Sequence, residues 1–192
     1  MTQTIDKPTE QRLTHSGMSW HQFKLLQESF ADSPGIRLFY YRGEVEILAV
    51  SQDHEIFSGV IAFLMGTYFV EKEIEFAPTG CYTQEKEGEA SAQADQSYLI
   101  GKASGGADLA IEVVFTSGNE RKLPRYKALG VPEVWFWEDG LFSLYCLRSD
   151  GYERVSKSQL LPELDINLLT RCLLMTSRLE AVREFRQGLR QE

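Results

Sequence analysis

Two acidic side chains stand out in residues 108–115, DLAIEVVF, because the rest of this segment is apolar. The pattern predicts a β-strand, in which successive side chains point to opposite faces of a sheet. One face is then wholly apolar, whereas Asp108 and Glu112 lie on the other face with Ala110 and Val114. A carboxylate in an apolar setting is costly to bury unless it has a partner or a role. We therefore expect this face to line a cleft, with Glu112 and Asp108 as candidate catalytic residues.

The spacing of these acids limits the metal site that they can form. Residues four apart on a strand are separated by about 13 Å, so Asp108 and Glu112 cannot share one ion. The preceding predicted strand offers Asp95. A hairpin that pairs Ile100 with Ala107 places this aspartate opposite Glu112, whereas a shift by one residue turns it to the other face. Opposed carboxylates repel each other, but Mg²⁺ or Mn²⁺ bound between them makes the arrangement favourable. In the register that pairs Ile100 with Ala107, Asp95 and Glu112 are therefore candidate metal ligands.

A basic cluster follows these strands in a chain that is otherwise acidic. Its members are Arg121, Lys122, Arg125 and Lys127, whereas the whole chain carries a net charge of −8. That charge argues against nucleic-acid binding by bulk electrostatics, but it is compatible with a nuclease whose bound cation offsets its carboxylates. A lysine of the cluster could stabilise an attacking hydroxide or a phosphate oxygen. A solvated helix face with Glu120 as ionic partner is the structural alternative.

Length and composition indicate one globular domain. The chain has 192 residues, of which 43% are hydrophobic and 25% are charged, as in an ordinary folded domain. We expect a poorly ordered tail over residues 1–18 and a single domain over residues 19–192. The apolar runs are too short to span a membrane, residues 1–11 contain no signal-peptide core, and the 3 cysteines are widely spaced. The sequence therefore predicts a soluble, cytoplasmic protein with reduced thiols.

Hydrophobic periodicity and turn residues predict the order of the elements. Helical spacing is found in four segments: residues 19–30, 53–71, 119–129 and 168–189, the last of which is compatible with one helix or with two. Strand patterns are found in eight segments: residues 36–41, 44–50, 74–77, 95–100, 108–115, 134–137, 141–147 and 152–155. The polar residues 83–94 predict an exposed loop. Together these elements predict an α/β (α+β) fold, in which a mixed, mostly antiparallel sheet is flanked by helices.

Several motifs, taken in order, resemble the Uma2 family (DUF820), which is abundant in cyanobacteria. The matching segments are GEVEIL with the following HE at residues 43–55, ADQSYLIG at 94–101, ADLAIEVV at 107–114, and YKALGVPEVW at 126–135. The family is assigned to the PD-(D/E)XK restriction-endonuclease-like superfamily. The resemblance therefore implies a restriction-endonuclease-like core that hydrolyses phosphodiester bonds with Mg²⁺ or Mn²⁺.

The resemblance also implies roles for individual residues. Asp95 takes the place of the first acid of the superfamily motif, and Glu112 takes the place of the second. The lysine expected two residues later is absent, and Lys122 on the following helix stands in its place. Glu46 and His54 are candidate outer members of the site.

The sequence thus predicts a metal-dependent endonuclease that acts on nucleic acid, with DNA favoured over RNA. Lys122 is the expected electrostatic stabiliser, and Arg121, Arg125 and Lys127 are the expected contacts to nucleic acid. A homodimer is plausible in this superfamily. The alternative is a catalytically inactive nuclease-fold protein that acts as a binding or regulatory module. A retaining glycosidase, which also uses two carboxylates about 5 Å apart, ranks far behind, because the sequence shows no substrate groove.

Overall fold

The strand that carries Glu112 lies inside one of two β-sheets. The computed structural model describes residues 10–101, 105–115 and 119–190, with the backbone alone at residue 119. Residues 1–9, residues 102–104 of the Gly-rich connection, residues 116–118 and residues 191–192 lie outside these ranges. Within them, no helix has both the length and the apolar character needed to cross a membrane.

The elements follow the order predicted from the sequence. The helices are α1 (Trp20–Ser29), α2 (Gln52–Glu71), α3 (Leu123–Leu129), α4 (Ile166–Leu174) and α5 (Arg178–Leu189), with a 3₁₀ turn over Asn119–Lys122. The strands are β1 (Gln11–Ser16), β2 (Ile36–Tyr41), β3 (Glu44–Ala49), β4 (Phe76–Pro78), β5 (Thr83–Lys86), β6 (Ala90–Gln93), β7 (Gln96–Ile100), β8 (Leu109–Val114), β9 (Glu133–Glu138), β10 (Leu141–Leu147) and β11 (Tyr152–Val155). The helix expected over residues 168–189 is divided into α4 and α5.

The strands form two sheets instead of the single sheet expected. The first sheet has the order β1-β3-β2-β6-β5, and the second has the order β11-β10-β9-β8-β7-β4. All pairs are antiparallel except β8 with β9, which are parallel and are connected through α3. The chain crosses from the first sheet to the second between β6 and β7, at Asp95. The mixed α+β class is confirmed, and the arrangement is consistent with a restriction-endonuclease-like fold.

The register of β7 and β8 decides how the two candidate metal ligands are placed. Gln96 pairs with Ile111 and Ser97 with Ala110. The same register, carried one residue further, sets Asp95 opposite Glu112. The sequence left two registers open, and the structure has the one that pairs Gln96 with Ile111.

The two faces of β8 lie in different cores. Leu109, Ile111 and Val113 pack in a cluster with side chains of α2, α4 and α5. Ala110 and Val114, on the other face, pack with side chains of the first sheet and α3. Since side chains alternate along a strand, Glu112 belongs to the second face, between the two sheets. The face that the sequence indicated as a cleft wall is thus buried against the first sheet.

Two segments differ from the sequence predictions. The exposed loop predicted over residues 83–94 is wrong, because these residues form the β5–β6 hairpin, which packs against α3. The expected tail over residues 1–18 includes β1, which pairs along its whole length with β3. The three buried residues of β6 are the small side chains Ala90, Ser91 and Ala92, and five of the six side chains of β1 are exposed. Neither strand therefore has the alternating apolar pattern by which strands are predicted.

The helix that carries the basic cluster ends at Gly130, and this glycine offers a test of the local structure. Its φ of +74° lies in the left-handed region, and its amide donates to the carbonyl of Lys127. We expect Gly130→Ala to lower the free energy of unfolding by about 1–2 kcal/mol, because a Cβ is strained there. Gly66→Ala in α2 is the control: its Cβ would meet no atom within 4 Å, so it should stabilise by up to about 1 kcal/mol. Urea unfolding of both variants measures this difference, and equal effects would contradict it.

Candidate active site

Glu112 is one half of a buried ion pair. Lys122 Nζ lies 2.6 Å from its Oε2, and the Tyr126 hydroxyl donates a hydrogen bond to its Oε1. Glu112 is 1% exposed and Lys122 is 2% exposed. Lys122 ends the 3₁₀ turn and Tyr126 lies one helical turn later on α3, so both reach β8 from the segment that follows it.

Burial and neighbouring charges shift the pKa values of Glu112 and Tyr126. Burial opposes the charged form of Glu112, but the charges of Lys122 and Arg125 and the hydrogen bonds from Lys122 and Tyr126 outweigh it and lower its pKa. Burial, together with the negative charge of Glu112, raises the pKa of Tyr126 well above its ordinary value. At neutral pH, Glu112 is therefore a carboxylate and Tyr126 is a hydrogen-bond donor.

Asp95 is held by three partners at the point where the chain changes sheets. Its Oδ2 accepts a hydrogen bond of 2.6 Å from the amide of Val113, directly beside Glu112. Its Oδ1 lies 2.8 Å from His54 Nε2 and forms an ion pair with the guanidinium of Arg37. The side chain is 1% exposed. These contacts fix the carboxylate in position and neutralise its charge.

His54 connects Asp95 to a second carboxylate. Its Nδ1 lies 2.8 Å from Glu10 Oε2, so the imidazole bridges Glu10 and Asp95. The ring is buried at the start of α2, where Ser51 caps the helix by accepting a hydrogen bond from the His54 amide. Glu10 directly precedes β1, so the amino-terminal strand is tied to this site.

Glu46 lies between two arginines on the inner face of the first sheet. Arg12 Nε is 3.2 Å from its Oε1, and Arg125 Nη1 is 3.1 Å from its Oε2. The guanidinium of Arg125 lies 4.1 Å from the centroid of the Phe39 ring, and Lys122 Nζ lies 5.6 Å from the same centroid. This ring therefore joins the Glu46 pairs to the Glu112–Lys122 pair.

Most of the residues singled out in the sequence lie in the buried region around Glu112, which we call the interior, and three do not. Those that meet there are Glu46, His54, Asp95, Glu112, Lys122 and Arg125. Asp108 accepts a hydrogen bond from the Ile100 amide and lies at the opposite end of β8 from Val114. Arg121 and Lys127 are exposed on the surface.

Sequence reasoning missed four residues that contact this interior: Glu10, Arg12, Arg37 and Tyr126. Tyr126 was recognisable by its position four residues after Lys122 in the family-like motif. Arg37 was recognisable as a lone charge in the apolar strand IRLFYY. Glu10 and Arg12 carry no comparable signal, because the segment around them is polar throughout.

Two grooves of the described residues differ in their relation to this interior. A groove of about 940 Å³ near β11 and residues 162–167 includes none of the site residues. A groove of about 680 Å³ is lined partly by Arg37 and Glu55, which form an ion pair of 2.8 Å. The smaller groove therefore reaches the partner of Asp95, and we regard it as the more relevant to the chemistry.

The arrangement presents carboxylates that are already paired with cations. Among the described residues, no three His, Cys, Asp or Glu side chains are grouped so as to hold a metal ion. Carboxylate oxygens are nevertheless the ligands that hard divalent cations take.

Comparison with known proteins identifies the family. Residues 20–176 match the family model of Uma2, described as "Putative restriction endonuclease". No curated protein matches the chain. The matched segment includes every site residue named above except Glu10 and Arg12, which precede it.

Proposed function

Because this chain belongs to the Uma2 family, we propose that it is an endonuclease. It would hydrolyse the phosphodiester bonds of nucleic acid with the help of a divalent cation. DNA is the substrate that we favour. The observation that carries the proposal is the buried, ionised Glu112, which is paired with Lys122. The next residue, Val113, donates its amide to Asp95, so Asp95 is held close to Glu112 along β8.

Asp95 and Glu112 are the residues that would hold the cation, Mg²⁺ or Mn²⁺. Their fit rests on donor chemistry, since both are carboxylates and they come from opposite positions of neighbouring segments. A bound divalent cation polarises the phosphate and lowers the pKa of a bound water. His54, Arg37 and the Val113 amide would orient Asp95, and Tyr126 would orient Glu112.

Lys122 would stabilise the negative charge that develops on the phosphate during hydrolysis. Its ammonium lies in a buried setting, where a fixed charge acts more strongly than in water. The exposed Arg121 and Lys127 would contact the nucleic-acid backbone near the site. Arg125, which is buried, would contact the backbone within the site. A homodimer is part of the proposal, and light scattering that shows a monomer would remove it.

A second candidate function is a binding module that has lost catalysis. It is favoured by the internal ion pairs, because Asp95, Glu112 and Glu46 each have a cationic partner within the chain. Stabilisation of the protein by Mn²⁺ in a thermal-shift measurement would argue for the nuclease, because a ligand of the native state raises its stability. An unchanged melting temperature in both Mg²⁺ and Mn²⁺ would favour the binding module.

Two aspartates provide a matched test of the nuclease. We expect cleavage of supercoiled and single-stranded DNA in Mg²⁺ or Mn²⁺ and none in EDTA. Asp95→Asn should lower the cleavage rate by about 10²-fold or more, because it removes a charged oxygen donor. Asp108→Asn should change it little, because an amide oxygen can still accept the hydrogen bond from the Ile100 amide. Equal loss in both variants would contradict the assignment of Asp95, and cleavage in EDTA would contradict metal dependence.

A further inference from the structure

Arg125 has more hydrogen-bond donors than partners. Its Nη1 donates to Glu46 at 3.1 Å, but its Nε and Nη2 are buried and have no hydrogen-bond partner among the described residues. The side chain is 6% exposed. Buried donors of this kind are nearly always satisfied in folded proteins, and leaving them unpaired is costly. A further acceptor at this position would remove that cost.

Arg12 lies on the other side of Glu46 and has the same excess. Its Nε and Nη2 are both buried without a hydrogen-bond partner among the described residues, although Nε forms an ion pair with Glu46 Oε1 at 3.2 Å. Both guanidiniums thus form ion pairs with one carboxylate, and each keeps buried N–H groups without an acceptor among the described residues. Two arginines and one glutamate carry a net positive charge, so the acceptor that fits is an anion.

The anion that fits best is a phosphate group. A guanidinium is a planar fork whose N–H groups match phosphate oxygens in pairs. The Phe39 ring supports the face of Arg125 at 4.1 Å and leaves the edge of the guanidinium free to donate. A phosphate has enough oxygens to accept from both arginines at once.

The position of this cluster suggests which phosphate it takes. Side-chain exposure falls from 20% at Arg12 and 13% at Glu46 to 6% at Arg125 and 2% at Lys122. This gradient leads from the surface towards Glu112, and Arg125 and Lys122 share the Phe39 ring. A phosphate at the arginines would therefore be a neighbour of one beside Glu112.

We propose that Arg12 and Arg125 form a subsite for a backbone phosphate next to the one that is cleaved. The inference rests on the proposed function for its substrate, a nucleic-acid strand. Arg12 lies on β1 and precedes the family-matched residues 20–176. The amino-terminal strand of this chain thus supplies half of the subsite.

The test uses inorganic phosphate and the full chain, without metal and in EDTA. Isothermal titration should show phosphate binding to the wild type and an affinity at least about tenfold lower in Arg125→Met and in Arg12→Met, since each variant removes a charged donor. Arg171→Met is the control, because Arg171 is exposed and pairs with Glu184 far from the site; its affinity should stay within about twofold of the wild type. Arg12→Met keeps the test valid if Arg125→Met fails to fold.

The outcomes separate this inference from the nuclease proposal. Phosphate binding that depends on both arginines, without any metal-dependent cleavage, would support a phosphate site at Arg12 and Arg125 and contradict the nuclease. Metal-dependent cleavage by a wild type that binds no phosphate would support the nuclease and overturn the subsite, leaving water as the partner of the arginine donors. Equal loss of affinity in Arg171→Met would also overturn it, because the effect would then be one of net charge.

Discussion

Replacing Glu112 with glutamine should abolish metal-dependent cleavage of DNA, with a loss of about 10³-fold or more. The substitution keeps the size of the side chain and its capacity to accept from Tyr126, but it removes the charge. A neutral amide is a poor ligand for a divalent cation, and a loss of this size corresponds to about 4 kcal/mol of transition-state stabilisation. Cleavage of supercoiled plasmid in Mg²⁺ and in Mn²⁺ measures the effect.

Glu133 provides the matched control for this variant. It is also 1% exposed and lies on β9, the parallel neighbour of β8. Its partners are the Trp135 indole, which donates at 2.6 Å, and the backbone amides of Gln159 and Leu160. Glu133→Gln should therefore perturb folding but leave cleavage largely intact. Similar losses in both variants would show an effect on folding, and full activity of Glu112→Gln would place the chemistry elsewhere.

Lys122→Met should lower both activity and stability. The variant leaves the Glu112 carboxylate buried without its main counter-ion, and breaking a buried pair in this way costs about 3–5 kcal/mol. Cleavage should fall by about 10²–10³-fold, the loss typical when one preorganised electrostatic group is removed. Urea unfolding in metal-free buffer at pH 7 measures the stability, and plasmid cleavage measures the activity.

The destabilisation of Lys122→Met should depend on pH. In the wild type the pKa of Glu112 is lowered in the folded protein. The carboxylate therefore contributes stability at pH values above its unfolded pKa, which is about 4.3. This contribution is lost as the pH falls through the lower pKa of the folded state. In the variant, burial prevails and raises the pKa, so the carboxyl group takes up a proton as pH falls. The difference between the two proteins should thus be largest near pH 8 and narrow towards pH 5.

Lys127→Met is the control for this pH dependence. Lys127 is exposed and donates to the carbonyl of Asp150, so its loss should cost about 1 kcal/mol or less. That cost should not vary between pH 8 and pH 5. A destabilisation of Lys122→Met that is equally independent of pH would contradict the assignment of Glu112 as its uncompensated partner.

The sequence predicts those features that repeat locally along the chain. The alternating pattern of residues 108–115 places Glu112 on the face opposite the apolar core, and the structure has it there. The Gly-rich connection predicts a hairpin between β7 and β8, but it leaves the register open, and only the structure shows which register is present. Helical spacing likewise predicts α1 and α2 within a residue or two of their observed ends.

The partners of the charged residues could not be predicted in the same way. Arg121 and Arg125 belong to one basic cluster, yet Arg121 is exposed whereas Arg125 packs on Phe39 of the first sheet. Asp95 and Asp108 each adjoin a strand, but Asp95 contacts His54 whereas Asp108 accepts a hydrogen bond from the Ile100 amide. These differences depend on how the two sheets pack, and no local spacing encodes that packing.

The contacts between Glu10 and His54 and between Glu46 and Arg125 also have a consequence for synthesis of the protein. The first joins residues 44 positions apart in the chain, and the second joins residues 79 positions apart. Contacts of such separation form only after long loops have closed, and Arg125 must have emerged from the ribosome before the second of them can form. Every shorter nascent chain therefore lacks the complete set of groups around Glu112, so the arrangement exists only once more than half of the chain has been made.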